Sequence, residues 1–123
     1  MKALSIKHPW AEWIAAGSKT IETRTFAVSH RGPLLICSSK KLDDSASVPD
    51  EETRSWKYGH ALAVADLVDV RPMTPDDEHA ACCFYEKGRF AWVLENVRRI
   101  DPFPVVGRLG LFDVELPAHA AQG

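Results

Sequence analysis

The sequence predicts a small α+β, mainly β protein, a closed or half-closed barrel of five to six strands with helices inserted between them. Short apolar and β-branched segments recur without regular strand-helix alternation, which speaks against a doubly wound sheet. One amphipathic helical pattern stands close behind the first of these segments. The chain has 123 residues, 46% hydrophobic and 26% charged. That suffices for one core without disulfide staples.

Ala3 to Ile6 reads as the first strand. Pro9 then falls where a proline suits the first turn of a helix, and the helix is expected to run to about Ala16. Trp10, Trp13, Ile14 and Gly17 recur at helical spacing, and Gly17 suits a left-handed cap. From Thr20 to Phe26 the residues are largely β-branched and alternate, so a strand is expected with Thr20, Glu22 and Arg24 on one side and Ile21 and Thr23 on the other. The charged side must face water or a pocket.

After the Arg31-Gly32-Pro33 break, Leu34 to Cys37 is an apolar run of buried-strand length, expected to give out at Ser38-Ser39-Lys40-Lys41. Residues 42 to 58 are polar and acidic, with a helix proposed from Pro49 to Trp56. His60 to Val70 is the longest strand candidate, and Phe90 to Leu94 and Leu109 to Leu116 supply two more. Thr74-Pro75-Asp76-Asp77-Glu78 resembles a helix start, its acids near the positive end of the helix dipole. One domain over residues 1–117 is expected, with a flexible tail over 118–123.

Fifteen basic and seventeen acidic side chains leave a formal charge of -2. With no global positive field, tight binding to duplex DNA is not expected, and any nucleic-acid contact must be local. Basic residues gather at Lys40-Lys41, at Arg98-Arg99 and along Lys19, Arg24 and Arg31. The opening residues lack a secretory apolar run, and no stretch approaches the ~20 apolar residues that cross a bilayer. A cytoplasmic protein with no membrane partner is the expectation. Cys37, Cys82 and Cys83 are odd in number, and two are adjacent, so reduced thiols are expected.

The segments LSIKHPWAEWIAAGSKTIETRTF, RGPLLICSSKK and FAWVLENVRRIDPFPVVGRLGLFDV together resemble the ASCH family, the activating-signal-cointegrator homology domains with a PUA-like barrel. The resemblance spans nearly the whole chain, and its most specific element is GSKTIETR directly after an amphipathic helix. It implies RNA or nucleotide recognition in a cleft between barrel and helix, and the leading expectation is a pocket for a modified pyrimidine nucleoside or a base of single-stranded RNA. Some small members are amidohydrolases that deacylate N4-acetylcytidine, and others are ribonucleases. The amidohydrolases use a lysine, a threonine and a glutamate. Lys19 matches that lysine and Arg24 a following arginine, but Glu22 stands where the threonine is expected. Glu78 and Glu86 are the two candidates for the more distant glutamate.

A lysine is a nucleophile only when neutral, and a nearby carboxylate such as Glu22 favours its protonated form. An easier assignment makes Glu22 the general base on a water, with Lys19 and Arg24 stabilising the developing negative charge and Ser18 or Thr20 orienting the substrate. The same trio fits ribonuclease chemistry, binding without chemistry, or a plain surface ion-pair ladder worth under ~1 kcal/mol per pair.

Trp10 is the tryptophan assigned to the pocket, Trp13 and Trp92 being assigned to the core. His8 is assigned as a cap or pocket wall. Ser38, Ser39 and Lys40 are expected on the rim, where hydroxyls and a lysine suit phosphate or ribose. His79, Cys82 and Cys83 form only a partial metal set, because adjacent cysteines do not readily ligate one tetrahedral zinc, so neither metal nor cofactor is expected. A non-catalytic RNA-binding module and a protein-interaction domain are the rival readings. An enzyme should bury Lys19, Glu22 and Arg24 in a closed pocket, whereas an RNA reader should spread cations along an open groove.

Overall fold

The computed structural model describes residues 1–118. Six strands form one mixed sheet: β1 (Lys2–His8), β2 (Ile21–Arg24), β3 (Gly32–Leu42), β4 (His60–Pro72), β5 (Phe90–Pro104) and β6 (Leu111–Asp113). Their order across the sheet is β2-β5-β4-β3-β1-β6. Only β1 and β3 run parallel, which their long connection through α1 (Trp10–Ala15) and β2 permits. The α+β, mainly β class is as expected, and of the closed and half-closed forms the sheet takes the open one, because edge strands β2 and β6 do not pair.

Strand β3 shows why its apolar run is continuous. Leu34 and Ile36 enter one core with Leu4, Ile6, Ile14, Trp92 and Leu94, under α1. Leu35 and Cys37 enter a second core on the other face, with Ala3, Ala61, Val64, Ile100, Phe103 and Phe112. A strand buried on both faces has no polar alternation to display. Burial also pushes the Cys37 thiol up to about 12.

Several boundaries differ from expectation. β3 continues through Ser38 to Leu42, because its backbone still pairs with β1, Ile6 opposite Ser38 and His8 opposite Leu42. β5 runs past Leu94 to Pro104, and its pairing with β4 shifts register three times, the mark of bulges that bend strands. The helix proposed over Pro49 to Trp56 shrinks to α2 (Asp50–Thr53). The predicted start at Thr74 becomes a 3-10 turn (Pro75–Asp77) running into α3 (Glu78–Ala81). A third small cluster, Ile21, Met73, Ala81 and Ala91, packs α3 beside β2 and brings the Ala81 carbonyl to the future site. Ala118 ends the described chain, and the rest of the expected tail lies outside the described residues.

Candidate nucleic-acid interface at the open seam

Helix α1 ends at a turn that decides where Lys19 goes. Gly17 adopts φ +85°, and the Ser18 and Lys19 amides both donate to the Trp13 carbonyl. Glycine enters this left-handed region without a Cβ penalty. The reversed chain leaves Ser18 exposed and drives Lys19 inward, where it is only 3% exposed. Its ammonium donates to the Ala81 carbonyl, lies 3.6 Å from Glu22 Oε1 and stands 5.6 Å from the centre of the Trp10 ring. The last contact is within cation-π range.

Glu22 is 7% exposed, and its two oxygens differ. Oε2 accepts from Arg24 Nε at 3.2 Å and Nη2 at 3.0 Å. Oε1 has the ion-pair contact with Lys19 but no hydrogen bond among the described residues. Arg24 Nη2 also donates to the Ser5 carbonyl at 3.1 Å. Ser5 is on β1, which is four places from β2 in the sheet order. The sheet therefore curls until its β2 edge nears β1, and a polar chain from Lys19 through Glu22 and Arg24 to Ser5 spans the seam. A loop from β5 to β6 also presses on β1: a Cβ at Gly107 would fall 2.7 Å from Ser5 Oγ.

A cavity of about 1300 Å³ opens along this seam. Lys19, Glu22, Arg24, Trp10, Ser38, Ser39, Lys40 and Glu86 all line it. Ser38 is nevertheless committed elsewhere, donating to the Lys57 carbonyl at 2.7 Å and accepting from the His60 amide. Trp10 Nε1 donates to Asp43, and hydrogen bonds from Ser45 and Trp10 hold the Asp43 carboxyl below the usual range. Glu86 pairs with Arg89 at 2.5 Å.

His8, Ser18, Thr20 and Glu78 lie outside the cavity lining. His8 is fully buried against Trp56 and Tyr58, with Nε2 at 2.7 Å from the Lys57 carbonyl. It is neither helix cap nor pocket wall: Pro9 holds the N-cap position. Burial pushes its imidazole below the ordinary value. Ser18 Oγ donates to Trp13, the Thr20 carbonyl accepts from the Leu94 amide, and Glu78 accepts from the Tyr85 amide. Trp92 is in the core as expected, while Trp13 is only half-buried. No group of three or more metal-ligating side chains occurs among the described residues.

Sequence reasoning missed Lys7, Asp43, Arg89 and Arg108, which reach the cavity from β1, from the end of β3 and from the loops flanking β5. Only the folded sheet brings them together, although the alternation of Ser5 and Lys7 along β1 was a usable signal. The lining holds seven cations, Lys7, Lys19, Arg24, Lys40, Lys41, Arg89 and Arg108, against three carboxylates, Glu22, Asp43 and Glu86. A chain of net charge -2 thus concentrates a surplus of four positive charges at one seam.

The ASCH domain family model matches residues 4–104. This chain belongs to the ASCH family. ASCH domains share a PUA-like fold linked to RNA binding. The crystal structure of ASCH from Zymomonas mobilis superposes with a TM-score of 0.65 at 14% identity, covering 98% of this chain and 90% of that chain. A serine-to-alanine mutant of that ASCH protein gives 0.62 at 13% identity, over 98% and 91%. A tyrosine-to-phenylalanine mutant gives 0.59 at 13%, over 98% and 93%. At these identities the likeness shows the ASCH fold alone. No curated protein gives a significant sequence match. No described helix is long and apolar enough to cross a membrane.

Proposed function

We propose that this ASCH domain binds single-stranded RNA along the open seam, with one base or a modified pyrimidine nucleoside held at Lys19, Glu22 and Arg24. The observation that carries the reading is the four-charge surplus lining a cavity in an otherwise slightly acidic chain. Cations placed locally neutralise phosphates where a global field is missing. Glu22 Oε1 supplies an acceptor for a base N–H, and Lys19 an adjacent donor.

Titrating labelled single-stranded RNA across a range of salt concentrations tests this. Three or four neutralised phosphates give a log-log slope of about -2 to -3 for a single strand. Lys40→Glu with Lys41→Glu should weaken binding at least about tenfold and flatten that slope. If neither RNA nor N4-acetylcytidine binds, the reading fails.

A hydrolytic reading draws support from one further observation, the burial of Lys19 and Glu22 side by side with Oε1 unbonded. There Glu22 takes a proton from a water as its oxygen adds to the acyl carbon. Lys19 and Arg24 stabilise the oxyanion, and the proton passes to the departing amine as the C–N bond breaks. Incubation with N4-acetylcytidine, beside Lys19→Ala and Glu22→Ala, tests it. Turnover that survives both substitutions would remove these residues from the chemistry, and no turnover at all would leave binding as the function.

A further inference from the structure

Four of the seven exposed large apolar side chains among the described residues, Phe26, Phe84, Val106 and Leu109, line the same cavity. Single exposed apolar residues are ordinary, but their collection round one polar opening marks a binding surface. Phe84 is 89% exposed and Leu109 fully exposed. They precede and follow β5 by a few residues, so the curl of that long strand brings loops from its two ends to one opening.

Each loop carries an exposed apolar side chain and an arginine. The first sets Phe84 near Arg89, and the second sets Val106 and Leu109 on either side of Arg108. Arg108 makes no ion pair among the described residues, and all of these side chains line the cavity. An apolar face beside a cation is what a nucleotide presents a partner for: a base to stack and a phosphate to neutralise. The cavity, at about 1300 Å³, also exceeds the ~300–1000 Å³ of pockets that enclose one small ligand.

Resting on the RNA reading above, we propose that Phe84 is a stacking platform for the unpaired base flanking the one held at Lys19 and Glu22, with Leu109 as the opposing wall. The platform makes the site prefer a run of single-stranded nucleotides over a free nucleoside. Charge complementarity selects this occupant: the apolar tips stand among Arg89, Arg108 and Lys40, which suit a polyanion.

The test compares a labelled seven-nucleotide single-stranded RNA with the mononucleotide CMP, by calorimetric titration of wild type, Phe84→Ala, Phe84→Trp and Leu109→Ala. Phe84 is exposed, so the variants should fold, as circular dichroism would verify. Wild type should bind the heptamer at least about tenfold more tightly than CMP. Phe84→Ala should lose about 5- to 100-fold of heptamer affinity with CMP unchanged, and Phe84→Trp should restore it. Leu109→Ala should lose less. Equal affinity of wild type for heptamer and CMP, or a heptamer affinity unchanged in Phe84→Ala, would overturn the platform and leave the nucleotide pocket standing. The second outcome is also the one expected if the apolar rim serves a protein partner. Binding of neither ligand would overturn the platform together with the RNA reading.

Discussion

Glu22 and Asp77 are both buried carboxylates gripped by an arginine through two hydrogen bonds, yet their remaining acceptor capacity differs. Asp77, 6% exposed, accepts from Arg71 at 2.7 and 2.8 Å and from the Thr74 amide at 2.8 Å, with Thr74 Oγ1 at 3.3 Å. Its acceptor capacity is consumed in a capping box that starts the 3-10 turn. Glu22 spends one oxygen on Arg24 and leaves the other without a hydrogen bond beside a cavity. Burial and an arginine partner do not by themselves mark a functional acid. The proposed role of Glu22 rests instead on its unbonded oxygen and its place in the cavity lining.

The largest expected effect breaks the structural member of the pair. The Arg71 side chain holds the Asp77 carboxyl down to about 2, against an ordinary 3.8. A depressed carboxyl adds stability that is present above pH ~4 and is lost as pH falls through about 2, here about 2 kcal/mol. Asp77→Ala should therefore cost about 2–3 kcal/mol at neutral pH, from the lost charged hydrogen bonds and the lost cap. Chemical denaturation should record that loss, while RNA affinity stays within twofold.

Matched arginine truncations sharpen the comparison. Arg24→Ala removes the cavity-side partner of Glu22 and the bridge to Ser5, so RNA affinity should fall about tenfold for a stability cost of about 1–2 kcal/mol. Arg71→Ala should cost similar stability and leave affinity alone. Equal affinity losses in the two would erase the distinction between the carboxylates.

His8 gives a smaller effect of the opposite chemical kind. It is buried, its Nδ1 has no hydrogen-bond partner among the described residues, and burial depresses its imidazole. The stability it contributes is present above pH ~6.5 and declines as pH falls from there toward the depressed folded value. Denaturation midpoints between pH 7 and 5 should fall in wild type and stay flatter in His8→Leu. The smallest effect concerns thiols. Cys82 and Cys83 are partly exposed and should react with a thiol reagent in the native protein, whereas Cys37 should react only on unfolding.

Much of the seam was legible before the fold was known. Gly17 at the end of an apolar helical stripe announces a reversal, and the alternation after it places Glu22 and Arg24 on one side. The continuous run Leu34 to Cys37 announces a strand buried on both faces. Its extension through Lys41 was not legible, because there backbone pairing rather than side-chain polarity decides. The length of β5 was hidden similarly, since bulges at its pairing with β4 break the period that a pattern search follows. Among site residues, those adjacent in sequence were found as a group. Arg89 and Arg108, which reach the seam only through the curl of β5, carry no local signal. His8 was misplaced because its neighbours Pro9 and Trp10 suggested the helix entrance, whereas Trp56 and Tyr58, about fifty residues on, enclose it.

The most direct test of the seam follows nitrogen-bound protons during titration with single-stranded RNA. Heteronuclear spectra resolve the Trp10 indole N–H, which donates to Asp43, and the Arg24 Nε–H, which donates to Glu22. They also resolve the Thr74 amide, which donates to Asp77. Binding at the seam should move the first two signals in step with saturation and leave Thr74 fixed. RNA binding that left Trp10 and Arg24 unmoved would contradict the assignment of the seam as the binding site.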